Sequence, residues 1–110
     1  MSEDVIVKNE IMNDGKTVHL YFSDMYQEYV AYGFSAYIAC ESDPTIVAKP
    51  LISYSTHFQM PEVRIDEANL QTLRHVLLEE STTDSQHLCF SCSSPLDETK
   101  YESWAHCLRG

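Results

Sequence analysis

The sequence predicts an α+β fold: an antiparallel sheet of about four to five strands, with two helices, about 66–80 and 95–109, packed on one face. Three observations lead there. Runs of alternating apolar and polar residues fill much of the first half of the chain, the period-2 signature of half-buried strands. Leu70, Leu73, Val76 and Leu77 recur at helical spacing, and Tyr101, Trp104, Ala105 and Leu108 do so again near the C-terminal end. At 110 residues the chain is expected to form one domain, 1–110, which buries about two-thirds of its unfolded surface and needs no covalent staples.

Residues 5–12 alternate, with Val5, Val7 and Ile11 on one side, and Asp14-Gly15 supplies the pair that a type I′ turn requires. A second strand over 17–22 carries Val18, Leu20 and Phe22. A two-residue loop then pairs Ile11 with Val18, Asn9 with Leu20 and Val7 with Phe22, so both apolar sets share a face; Glu10 falls opposite His19 and Lys8 opposite Tyr21.

The aromatic stretch 18–40 holds five of the seven tyrosines. Its second half, 29–40, fits two templates. As a helix capped by Ser23 or Asp24 it aligns Phe22, Tyr26, Tyr29, Val30, Gly33 and Tyr37. As a strand it turns the even positions from Val30 to Cys40 inward and leaves an odd-numbered strip, Tyr29 to Tyr37, flattened by Ala31, Gly33 and Ser35. A mid-helix glycine costs ~1 kcal/mol against alanine and aromatic residues suit a pleated surface, which favours the strand.

Residues 41–44 read as a turn and 46–54 as a strand that Pro50 confines to an edge. Residues 55–62 form a loop or bent strand ending at Pro61, with Phe58 and Met60 in the core. Asp66 caps the following helix, Ile65 staples onto Leu70, and His75 lies across from the apolar stripe. A polar loop over 81–85 leads to a short strand, 87–92, and Ser94-Pro95 opens the last helix as cap and first residue.

A net charge of −10, spread evenly along the chain, disfavours nucleic acid and anionic membranes as partners and leaves basic proteins open. No apolar run approaches the ~20 residues that span a bilayer. The first residues, MSEDVIVKNE, lack the basic and apolar regions of a secretory leader, so a cytoplasmic location with reduced thiols is expected.

Chemistry-bearing patterns are few. Cys89-Phe-Ser-Cys92, with His87 before it and His106-Cys107 further on, suggests zinc held by Cys89, Cys92, His87 and Cys107. Helix geometry opposes that set: His106 faces solvent with Cys107 on the flank, so at most one of the pair joins Cys89 and Cys92, leaving His87 or a water as the fourth ligand. A redox dithiol is also poorly placed, since Cys89 lies inside a strand and not at a helix start, and a regular strand sends Cys89 and Cys92 to opposite faces. The five histidines, His19, His57, His75, His87 and His106, are scattered, and no catalytic residue is assigned. Clustered tyrosines favour contact surfaces. Tyr26, Tyr29, Gly33 and Tyr37 are therefore the expected binding strip, for a protein partner or for a second copy in a homodimer. The leading expectation is a non-catalytic protein-interaction or accessory domain. A metal or thiol site around Cys89 and Cys92 comes next, and an unidentified small enzyme last.

Overall fold

The computed structural model describes residues 3–13, 15–46, 52–82, 84–92 and 97–109. Among these residues six strands form one antiparallel sheet: β1 (Thr17–Ser23), β2 (Glu28–Tyr32), β3 (Ile52–Ser55), β4 (Met60–Ile65), β5 (Glu79–Glu80) and β6 (His87–Ser91), in the spatial order β3-β4-β2-β1-β6-β5. The helices are α1 (Glu3–Ile11), α2 (Gly33–Ser42), α3 (Glu67–Val76) and α4 (Glu98–Arg109). The α+β class expected from the sequence holds, with more strands and two more helices than its patterning suggests. No helix among the described residues is long and apolar enough to cross a membrane.

Strand register explains the core. Val18 pairs with Phe90, Leu20 with Leu88 and Ala31 with Val63, so these residues share one face, and all of them are buried. Each Val, Leu or Phe so buried contributes ~1.5–3 kcal/mol. Above them lies α2, where Ala36, Ile38, Ala39 and Cys40 join the same cluster as Leu70, Leu73 and Leu77. Small side chains let α2 sit close to β1, β2 and β4 at once. The last helix then docks on α2 through aromatic edges: Phe34 meets Tyr101 at 4.5 Å between ring centres and Tyr37 meets Trp104 at 5.3 Å.

Two expectations are overturned. Residues 5–12 are not a strand: they form α1, and the two residues that it buries, Ile6 and Glu10, stand one helical turn apart while Val5 and Ile11 are exposed. The hairpin partner of β1 is therefore β2, joined to it through 24–27, where Gln27 takes the left-handed conformation at φ 55°. Residue 14, on which the expected turn rested, lies outside the described residues.

The stretch 29–40 is not one strand either. It is β2 up to Tyr32 and α2 from Gly33, and Gly33 makes the change at φ +55°, where a Cβ would also stand 3.1 Å from Met60 Sδ. The even-inward, odd-outward rule fails past that point, since Gly33, Ser35 and Tyr37 are buried along with Ala36, Ile38 and Cys40.

Smaller differences follow the same logic. Asp66 does cap α3, accepting from Asn69 N at 2.8 Å, but the helix stops at Val76, which is exposed, and 79–80 join the sheet. Phe58 and Met60 are half-buried in and beside the β3–β4 turn. β3 is an edge strand as expected, though Pro50 lies outside the described residues, as do Ser94 and Pro95. At α4 it is Asp97 Oδ1 that accepts from the backbone of Thr99 and Lys100.

What holds α1 in place is a buried carboxyl. Glu10 is 4% exposed; its Oε1 accepts from Ser35 N at 3.1 Å and its Oε2 from Ser35 Oγ at 2.7 Å. Burial lifts its pKa from 4.5 to about 7 against those hydrogen bonds. Between pH 4.5 and about 7 the folded protein thus keeps a proton that the unfolded chain has released, and stability from this group falls as pH rises through that window. His87 acts in the other sense, because burial lowers its pKa below 6.5 and stability is lost as pH falls beneath that value. Urea unfolding from pH 5 to 8 should therefore show wild type losing about 2–3 kcal/mol relative to Glu10→Gln. Parallel curves for the two proteins would contradict the assignment.

Candidate metal centre

Antiparallel pairing places four side chains in one block on the sheet face opposite Leu20 and Leu88. His19 pairs with Cys89 and Tyr21 with His87, and residues two apart on a strand share a face. The diagonal between His19 and His87 is ~7–8 Å at the backbone, a span that two imidazoles facing one another can close. They do so: His19 Nδ1 lies 2.9 Å from His87 Nε2. Cys89 Sγ stands 3.5 Å from that His19 atom and 3.4 Å from that His87 atom. Among the described residues this is the one group of three or more His, Cys, Asp or Glu side chains placed to hold a metal ion.

The surroundings fix the rings. Tyr21, 2% exposed, stacks on His87 with 4.7 Å between ring centres and an interplanar angle of 21°, and lies nearly parallel to His19 at 6.2 Å. Thr82 Oγ1 accepts from Cys89 N at 3.1 Å. The three donor residues are half-buried. Burial lowers the His87 pKa, against the pull of Asp84, and raises that of the Cys89 thiol. A neutral imidazole and a protonated thiol are the resting state, and a cation would displace the thiol proton on binding.

Donor spacing decides what the group can do. Zinc bonds of ~2.0–2.1 Å to nitrogen and ~2.3 Å to sulfur imply tetrahedral edges of ~3.3 Å between nitrogens and ~3.5 Å between sulfur and nitrogen. Both S···N edges match, and the N···N edge is short by a few tenths of an ångström, the length of an N–H···N hydrogen bond. Without metal, one ring donates to the other. With it, both nitrogens must turn lone pairs to the ion and the edge opens slightly. Three donors at these spacings would supply one triangular face of a tetrahedron.

Of the four side chains that the sequence suggests for zinc, His87 and Cys89 stand together, and Cys92 and Cys107 stand apart from them. Cys92 packs against the core cluster, with Sγ 3.7 Å from Gly15 O, while Cys107 is exposed on α4. The third side chain beside them is His19. Its partners are 68 and 70 residues away in sequence, and only the β1–β6 register joins them. The available signal was the shared face of His87 and Cys89 at i and i+2, which asks for a third donor on a neighbouring strand.

The tyrosine strip is dispersed. Tyr26 is exposed with the Arg64 guanidinium 4.3 Å from its ring centre, and Tyr29 is half-buried, its hydroxyl donating to Ser85 O at 2.6 Å. Gly33 and Tyr37 are buried in α2. No family model, no curated protein and no solved structure matches this chain.

Thiol labelling offers a direct check on these placements. In metal-free native protein, Cys107 should react first, Cys89 and Cys92 more slowly, and Cys40, buried with its pKa pushed up to about 12, only on unfolding. Mass mapping that found Cys89 as reactive as Cys107 would contradict the geometry.

Proposed function

We propose that this protein is a metal-binding domain that holds Zn²⁺ through His19 Nδ1, His87 Nε2 and Cys89 Sγ, with a fourth position open to solvent or an exogenous ligand. The observation that carries the reading is the donor triangle, with edges of 2.9, 3.4 and 3.5 Å, on a half-buried patch of sheet. Two imidazoles and one thiolate are borderline-soft donors. They suit zinc, which has no geometric preference of its own, and also copper, which binds such sets more tightly and is the natural competitor.

Three protein ligands with one open vertex are the pattern of zinc sites that act on a bound molecule, whereas structural sites close all four positions. Zinc held this way supplies a Lewis acid and an acidified water. The chain's own part is to present the donors ready-made: strands fix Cα positions, Tyr21 limits ring rotation, and burial keeps His87 neutral. Cys92 contributes nothing to this face, so a Cys89–Cys92 dithiol plays no part in the proposal.

Protein purified without chelator or histidine tag should carry or take up one equivalent of zinc, measured by elemental analysis. His19→Ala, His87→Ala and Cys89→Ser should each weaken binding by more than about 100-fold, whereas Cys92→Ser and Cys107→Ser should bind as wild type. Wild type that takes up no zinc or copper, or a Cys89→Ser variant that binds unchanged, would overturn the proposal.

A further inference from the structure

We infer that α1 is the positioning element of this metal centre, with Asn9 and Glu10 each holding one of the two histidine ligands through a single intermediate. The inference rests on the metal-binding reading above. Asn9 Nδ2 donates to the Tyr21 hydroxyl at 3.2 Å, and the Tyr21 ring lies flat against His87. Glu10 Oε2 accepts from Ser35 Oγ at 2.7 Å, and Ser35 Oγ in turn accepts from the backbone N–H of His19 at 2.9 Å. Neither α1 residue belongs to the donor set, and each is one hydrogen bond from the group that fixes a ligand.

The sheet makes the second link necessary. β2 pairs with β1 only across Tyr21, Phe22 and Ser23, so at His19 the strand has lost its neighbour on that side. The Ser35 hydroxyl replaces the missing ladder bond, and it stays in place because it donates its own hydrogen bond to Glu10 Oε2. Adjacent helix residues point ~100° apart. One short helix can therefore reach the start of α2 with Glu10 and Tyr21 with Asn9. Outer partners of this kind keep ligands aimed before the ion arrives, and their loss commonly costs 10–100-fold in affinity.

The test compares Asn9→Ala, Glu10→Ala and Tyr21→Phe with wild type. Zn²⁺ affinity is read by chelator competition, and Co²⁺ as a probe reports ligand geometry through its ligand-field and thiolate charge-transfer absorption. Each variant should lose about 10–100-fold in zinc affinity and show a weakened or displaced ligand-field spectrum with the thiolate band retained. Asn9→Ala combined with Tyr21→Phe should be no worse than either alone, since both cut the same bond. Asp66→Ala, which removes the α3 cap, should lower stability while leaving affinity and spectrum unchanged. If Glu10→Ala does not fold, Glu10→Gln, which keeps the volume and mismatches one hydrogen bond, should still lose about 10-fold. Wild-type affinity and spectra in the α1 variants would overturn this inference and leave the metal site standing; wild type that binds no metal would remove both.

Discussion

The hydrogen bonds between Glu10 and Ser35 close a gap that the sheet leaves open. Where β2 ends, β1 continues with its edge turned toward the protein interior, and a buried amide left there without an acceptor would cost ~1–3 kcal/mol. Ser35 supplies the acceptor for His19, while Asn13 donates to Thr17 O at 2.9 Å. The carboxylate oxygens then satisfy Ser35's own N–H and hydroxyl. A carboxyl group at 4% exposure is an expensive way to do this, and its raised pKa is the mark of that expense.

From this junction the remaining packing follows. Leaving the sheet at Gly33 lets the chain run back across its own strands as α2, with nearly every side facing protein. Such a helix needs small residues where it meets the strands and large ones where it meets other helices. Ala36 and Ala39 serve the first need, and Phe34 and Tyr37 the second, gripping Tyr101 and Trp104 of α4. Asp43, at the end of α2, receives a hydrogen bond from Asn69 of α3 at 2.9 Å, so a buried polar pair ties the third helix to the second.

How far the sequence reveals this depends on whether the deciding contacts are local. Strands β1 and β6 and the helices α3 and α4 carry their own periodicity, and Asp66 announces its cap. Residues 5–12 mislead because Val5, Val7 and Ile11 have the β-branched alternation of a strand, while what the helix there secures is a carboxyl contact to Ser35, 25 residues on. The aromatic stretch misleads differently: strand and helix templates each describe half of it, and the glycine that counts against an unbroken helix is the hinge between the two. For the metal centre, His87 and Cys89 advertise a shared face. His19 joins them only once β1 lies beside β6, which no local pattern records.

The two-residue strand β5 at one end of the sheet has a consequence for how molecules of this protein meet one another. An open sheet edge is a template on which a further chain can extend the ladder. Here that edge is Glu79–Glu80, both exposed, with neighbouring residues pairing to opposite faces of the sheet and Glu80 bound to Arg74 at 3.4 Å. Any strand approaching the edge meets carboxylate above and below, and a second copy of this acidic chain meets its own charge. The boundary is guarded by brevity and repulsion.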